Sequence, residues 1–299
     1  MIRNFEALKK KNVNDADKRH ICIAVAAAQD LDTLGAVYDA REELGIKHIL
    51  VGDTDKIKVF TQSLGFIPDW VINADSDEEA AGIAVNLVKE GKAQALMKGK
   101  LQTGLLLKAV LDKEKGIRDS GLLSHLAILE SPNYHKLIFI ADGGMNIAPD
   151  LEQKKQIIEN SVKFMRSLGY DCPKVAVLAA VETVSSKMQE TIDANALAQM
   201  NKAGEITDCI IEGPLSFDIA INAEAAATKG FDSEICGDTD LFITHDISAG
   251  NILCKSMMYL GNAKMAGCVL GAKAPIILVS RGATAEEKLL SIAFAAAQA

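Results

Sequence analysis

Ser280-Arg281-Gly282 stands between a short apolar run, Ile276-Ile277-Leu278-Val279, and Thr284-Ala285-Glu286-Glu287, which has the spacing of a helix capping box. An unbroken, partly β-branched run of that length predicts a strand buried on both faces, as in parallel sheets. Leu289, Leu290, Ile292, Ala293 and Ala296 then recur at helical spacing. A guanidinium and a hydroxyl therefore fall in the loop between the carboxyl end of a strand and the amino end of a helix. Open parallel sheets bind ligands at that place, and helix amino termini favour anions. Arg281 reads as an anion clamp, with Ser280 as a further donor.

Three other stretches repeat this placement. Lys98-Gly99-Lys100, with Thr103, follows the apolar segment Ala93 to Met97. Two ammoniums and a hydroxyl there are either a solvated loop or a phosphate site. Asp142-Gly143-Gly144-Met145-Asn146 follows Leu137 to Ile140; its glycine pair permits close backbone approach, and Asp142 either satisfies loop amides or meets a ligand. His245-Asp246 closes the run Leu241 to Thr244, and Asn251 and Lys255 come next. Carboxylate, amide and ammonium thus converge on one strand-to-helix junction. His245 by itself reads as a hydrogen-bonded structural residue, and Lys9-Lys10-Lys11 as a solvated face.

The elements that must position these groups alternate between strand and helix. Strands are predicted at His20 to Val25, Lys47 to Gly52, Trp70 to Asn73, Val175 to Ala179 and Asp208 to Glu212. Helices are predicted at Phe5 to Lys11, Ala26 to Leu44, Asp55 to Leu64, Asp77 to Lys89, Leu105 to Leu111, Leu151 to Leu168, Ser186 to Ala203 and Ile252 to Leu260. That alternation predicts βαβ units, hence an α/β fold with mainly parallel sheets. Ala127 to Leu129 and Leu137 to Ile140 read as a strand pair joined through Ser131-Pro132-Asn133. Gly213-Pro214 reads as a sharp turn. The polar link from Ser131 to Lys136 reads as a change of domain. Ala26-Ala27-Ala28-Gln29 occupies the place of a GxGxxG, which weakens any dinucleotide reading.

With 299 residues, the chain can bury a substantial core in one or two domains. Its net charge of -8 argues against nucleic acid as the main partner, while leaving room for a small polyanion in a local cationic pocket. Met1 to Glu6 has no signal-type apolar core, and no apolar stretch approaches the roughly 18 residues of a membrane span, so a cytoplasmic location is expected. Cys22, Cys172, Cys209, Cys236, Cys254 and Cys268 lie far apart and read as buried free thiols rather than a zinc site or a disulfide framework.

Taken together, Asp246-Ile247-Ser248-Ala249-Gly250-Asn251, Lys255, Pro275 and Ser280-Arg281-Gly282 resemble the carboxyl-terminal block of the phosphotransacylases. Glu212-Gly213-Pro214-Leu215-Ser216-Phe217-Asp218 resembles their preceding glycine-containing segment. Lys98-Gly99-Lys100 with Thr103, and Ile140 to Gly144 with Asn146, resemble most the phosphate butyryltransferase branch. The resemblance implies a two-domain fold like the isocitrate and isopropylmalate dehydrogenases, with a cleft between domains. Residues 1–133 and 273–299 would form one domain and 134–272 the other. It implies reversible transfer of a short acyl group, butyryl or branched-chain, between CoA and phosphate through a ternary complex. It also implies homo-oligomers, with CoA as a substrate and no metal or permanently bound cofactor. Arg281, Ser280, Asp246 and Glu287 would be catalytic; Lys98, Lys100, Thr103, Asp142, Asn146, Asn251 and Lys255 would bind substrate. Glu287 stands at the position of the family's aspartate base, and it is also the third residue of the Thr284 capping box. Two other readings share the pattern: a metal- and NAD-dependent decarboxylating dehydrogenase, and a non-catalytic CoA- or anion-binding module.

Overall fold

The computed structural model describes residues 1–14, 21–119, 121–279 and 282–298. The fold is mixed α/β, and the chain divides into two compact units, Phe5–Gly121 with Ala266–Ala299, and Leu122–Met265 with Met1–Asn4. The first unit opens with α1 (Phe5–Asn14), β1 (Cys22–Ala26), α2 (Leu31–Leu44), β2 (Lys47–Gly52), α3 (Thr54–Ser63), β3 (Trp70–Asn73), α4 (Asp77–Lys89), β4 (Ala95–Lys98) and α5 (Thr103–Val110). The second holds β5 (Ser124–Glu130), β6 (Ile138–Ala141), α6 (Leu151–Ser167), β7 (Lys174–Leu178), α7 (Gln189–Lys202), β8 (Ile210–Leu215), α8 (Phe217–Ile221), α9 (Ala223–Thr228), β9 (Leu241–Ile243) and α10 (Ile247–Tyr259). The chain continues through β10 (Lys264–Leu270) to β11 (Ile276–Ile277) and α11 (Ala285–Gln298), which complete the first unit.

In the first unit the strand order is β3-β2-β1-β4-β11-β10, parallel throughout except for the antiparallel β10–β11 pair. β1 is buried at every position, as a central strand of a parallel sheet must be. α11 lies against α1 and α2 and buries an unbroken run from Lys288 to Ala297. Phe5 meets Phe294 edge-on, with ring centroids 5.9 Å apart. Such a pair is worth about 0.5–1.5 kcal/mol beyond its buried area.

The second unit has the order β5-β6-β9-β7-β8, with β5–β6 an antiparallel hairpin and the other pairs parallel. Its core is built from Ile138, Ile140, Ala176, Leu215, Ile219 and Phe242, all fully buried. Among the described residues, helices in both units begin on a side-chain cap: Asp30, Asp53, Ser76, Asp150, Asn222, Asp246 and Thr284 each accept a backbone N–H from the first turn. These caps satisfy amides that the helix cannot pair internally.

Several boundaries differ from the sequence reading. The β5–β6 hairpin keeps Ser131 to Lys136 within one unit, and the units change at 121/122 and 265/266 rather than at 133/134 and 272/273. Gly213-Pro214 continues β8 instead of turning. β8 closes its unit's strand order, and a register shift opposite Ala176–Leu178 accommodates the proline, whose missing N–H is tolerated at an edge or a bulge. α2 starts only at Leu31, after a loop in which Ala27 takes φ 55°. α10 starts at Ile247, not Ile252, because Asp246 caps it.

Candidate functional site

The described candidate residues fall into two clusters, one in each unit. Each of these lies at or just beyond the carboxyl end of a strand, or on the helix that follows. Ser280 and Arg281 lie outside the described residues.

In the first unit, Gly99 N–H and Lys100 N–H donate to the carbonyls of Ala26 and Ala27, folding the loop after β4 onto the end of β1. A β-carbon on Gly99 would stand 2.3 Å from the Ala27 carbonyl oxygen, so only glycine permits this approach. Lys98 Nζ donates to the carbonyls of Gly99 (3.1 Å) and Leu101 (3.2 Å), bracing the loop, while Lys100 is exposed. Both line a cavity of about 460 Å³ with Asp30, Asp77, Gln102 and Lys288. Thr103, exposed at the start of α5, is not among its lining residues. Lys288, on α11, is a cation that the sequence reading missed; its Nζ stands 3.8 Å from Asp32. Its signal was its place directly after the capping box, one helical turn before Ile292 on the buried side of α11. Glu287 forms that box: Oε2 accepts Thr284 N–H at 2.6 Å, and Thr284 Oγ1 accepts Glu287 N–H at 3.2 Å.

In the second unit, the loop after β6 is organised around Asp142. This buried carboxylate accepts the N–H groups of His125 (2.9 Å), Gly144 (2.8 Å) and Met145 (2.9 Å) and the Asn146 amide (2.6 Å). Asn146 Nδ2 also donates to the Leu123 carbonyl, at 2.9 Å. Asp142 and Asn146 therefore hold the loop's shape. Burial pushes the neighbouring His125 imidazole below its usual value, while the Asp142 charge pulls the other way.

The same loop meets the start of α10. Thr244 N–H donates to the Ala141 carbonyl at 2.9 Å and Ile247 N–H to the Ile147 carbonyl at 3.1 Å. Asn251 Nδ2 donates to the Gly143 carbonyl at 3.3 Å. Asp246 Oδ1 accepts Ala249 N–H at 2.8 Å. Lys255, one turn beyond Asn251, places its ammonium 5.8 Å from the centre of the Tyr259 ring. Asp142, Asn146, Asp246 and Asn251 thus belong to one strand-end junction of backbone amides and a helix amino terminus, and Lys255 adds a cation one turn further along α10. Its chemistry suits an oxyanion.

A second feature missed in the sequence is Lys154, buried on α6 and paired with Asp193 and His245. Its signal was its spacing with Ile157, Ile158, Ser161 and Met165 on the buried face of α6. The thiols of Cys22, Cys209, Cys254 and Cys268 are pushed up to about 12 by burial, which leaves them protonated and inert at neutral pH. No group of three His, Cys, Asp or Glu among the described residues is placed to hold a metal ion. No described helix is long and apolar enough to cross a membrane.

Residues 71–296 match the phosphate acetyl/butaryl transferase family. A Bacillus subtilis (strain 168) protein named "Probable phosphate butyryltransferase" is 44% identical over 91% of each chain. A phosphate acetyltransferase of Thermotoga maritima is 39% identical over 92% of this chain and 94% of its own. Among solved structures, a branched-chain phosphotransacylase from Enterococcus faecalis V583 superposes with a TM-score of 0.82 at 32% identity, covering 93% of this chain and 98% of the other.

Proposed function

The chain belongs to the phosphate acetyl/butaryl transferase family, and we propose that it transfers a short acyl group, butyryl or branched-chain, reversibly between CoA and inorganic phosphate. The products are acyl phosphate and CoA, formed in a ternary complex. One observation carries the reading: the family match over 71–296 takes in Lys98–Lys100, Asp142–Asn146, Asp246–Lys255 and Ser280–Gly282 together. That membership supports acyl transfer over a metal- and NAD-dependent dehydrogenase and over a binding module without turnover.

Phosphate is already an anion at neutral pH, so it needs positioning more than activation. Arg281, with its planar fork of donors, clamps the phosphate or the oxyanion that develops on the thioester carbonyl, and Ser280 adds a hydrogen bond. Asn251 and Lys255 orient the acyl carbonyl or the phosphate at the start of α10. Lys98 and Lys100, at the cavity after β4, and Thr103, at the start of α5, engage the phosphates of CoA. Asp142 and Asn146 act through the loop they hold. In the reverse direction a base takes the CoA thiol proton; Glu287 and Asp246 are the two carboxylates at helix starts suited to it. Holding both substrates together contributes several kcal/mol by proximity, about 7–11 where alignment is best. The enzyme works as a homo-oligomer in the cytoplasm, with no permanently bound cofactor.

Release of CoA thiol from butyryl-CoA, followed with and without phosphate, tests this reading. Release that requires phosphate and neither NAD nor metal supports it. Release that is indifferent to phosphate, or that appears only with NAD and a divalent metal, overturns it.

A further inference from the structure

Lys154, Asp193 and His245 form a chain of contacts that runs from the interior of the second unit to the carboxyl end of β9. Lys154 Nζ lies 2.6 Å from Asp193 Oδ2 and 3.2 Å from His245 Nδ1. Gln189 Nε2 donates to the other Asp193 oxygen at 2.7 Å. Burial works to raise the Asp193 carboxyl, but the hydrogen bonds from Lys154 and Gln189 and the Lys154 charge outweigh it and hold it below the usual carboxylate range. Asp193 therefore faces Lys154 Nζ as a carboxylate, and a lysine ammonium has only donors to offer.

The partner of an ammonium must accept, so His245 Nδ1 carries a lone pair and the ring proton sits on Nε2. The ring is partly exposed, and among the described residues no protein group takes Nε2. A tie between α6 and α7 is complete with Lys154 and Asp193 alone, since each is already charge-paired. The third member adds something a tie does not need: an imidazole in a fixed tautomer, with an N–H free at the strand end next to Asp246. Parallel sheets receive anionic ligands at that edge.

We propose that His245 is a phosphate-binding residue, whose Nε2–H donates to an oxygen of inorganic phosphate or of the acyl phosphate, and that Lys154 and Asp193 are positioning residues that fix its tautomer. This rests on the acyl-transfer reading for its ligand class. It adds a ring N–H to the side-chain donors already proposed at that helix start, Asn251 and Lys255. No proton changes hands in this role.

The test uses the full chain labelled with 15N-histidine. Two-bond 1H–15N correlations report which ring nitrogen is protonated, and the His245 peaks are assigned by their absence in His245→Leu. The expected result is Nε2–H in the free protein and a shift of that nitrogen on titration with inorganic phosphate. His245→Leu should raise the KM for phosphate by roughly tenfold to a hundredfold, the loss of one hydrogen bond to an anion. Its KM for acyl-CoA should stay within about threefold of wild type, and His245→Gln, which keeps an N–H donor, should recover most of the phosphate affinity. The pair Lys154→Met/Asp193→Leu removes both charges at once and so avoids an orphaned buried ion. It should leave His245 in mixed tautomers and raise the KM for phosphate with little change in kcat.

A protonated Nδ1, an Nε2 that ignores phosphate, or an unchanged KM for phosphate in His245→Leu would overturn the proposal. If the wild-type protein releases no CoA from any acyl-CoA, the acyl-transfer reading fails, and the tautomer and the phosphate titration still decide the role of His245.

Discussion

Gly143 and Gly250 pack backbone against backbone. A β-carbon on Gly143 would stand 2.9 Å from the Gly250 carbonyl carbon, and one on Gly250 would stand 2.8 Å from Gly143 Cα and from the Asp142 carbonyl oxygen. This contact seats the loop after β6 on the first turn of α10 and brings the Gly143 carbonyl within reach of Asn251. The loop has little room to retreat, because the Asp142 carboxylate holds it through four hydrogen bonds. Gly250→Ala should therefore cost about 1–3 kcal/mol by overpacking. Thermal unfolding reads the loss, and the KM for phosphate should rise as Asn251 is displaced. A variant that melts with the wild type and binds phosphate equally well would contradict this packing account.

Cap-preserving substitutions separate structure from chemistry at the two helix-start carboxylates. Glutamine serves in a capping box and asparagine serves as an N-cap, yet neither accepts a proton at neutral pH. Glu287→Gln and Asp246→Asn should each keep the melting temperature. The one that removes the base should lower kcat for acyl phosphate plus CoA by about 10²–10⁴. Equal, full activity in both would mean that neither carboxylate takes the thiol proton.

Arg281→Ala should lower kcat/KM for phosphate by about 10²–10³, the typical loss on removing a preorganised donor from developing charge. Arg281→Lys should recover little, since a point charge does not replace a planar fork. Turnover within about threefold of wild type in Arg281→Ala would place the anion clamp elsewhere.

His48 sets a pH dependence of stability. Its ring is fully buried and pushed down to about 4 by desolvation; Asp69, with Oδ2 3.1 Å from Nδ1, pulls against this, and Arg41 adds to it. The unfolded chain binds a proton here below its ordinary value of 6.5, and the folded chain does not until about 4. The stabilisation is thus complete above pH 6.5 and is lost as the pH falls towards 4. It should amount to roughly 2 kcal/mol between pH 7 and 5. Denaturant unfolding at those two pH values should show His48→Asn losing that much of the wild-type difference. An unchanged difference would mean that His48 is charged in the folded chain.

Most of the strand pattern was legible because the strands are central: runs such as Ile23 to Ala26 and Ile138 to Ala141 are buried at every position, so apolarity without alternation marks them. Features set by tertiary contact were not. Gly250 read as a loop residue, yet it lies in the first turn of α10, which Asp246 caps, at a point where Gly143 leaves no room for a side chain. Pro214 read as a turn, yet it lies in a strand with a neighbour on one side only. Asp142 and Asn146 could be placed in a loop but not assigned to bracing it, since that depends on amides from His125 and a carbonyl from Leu123, well away in sequence. Lys154 was hidden for the opposite reason: a lysine among apolar positions reads as surface until its partners on two other elements are known.

The central claim is that a thioester and inorganic phosphate become an acyl phosphate and a thiol. Phosphorus NMR of the protein with butyryl-CoA and phosphate tests it most directly. The account predicts a new acyl-phosphate resonance that grows in step with free CoA and disappears when excess CoA is added. CoA released with free butyrate and no acyl phosphate, or no release from butyryl-, isobutyryl- or acetyl-CoA, would contradict it.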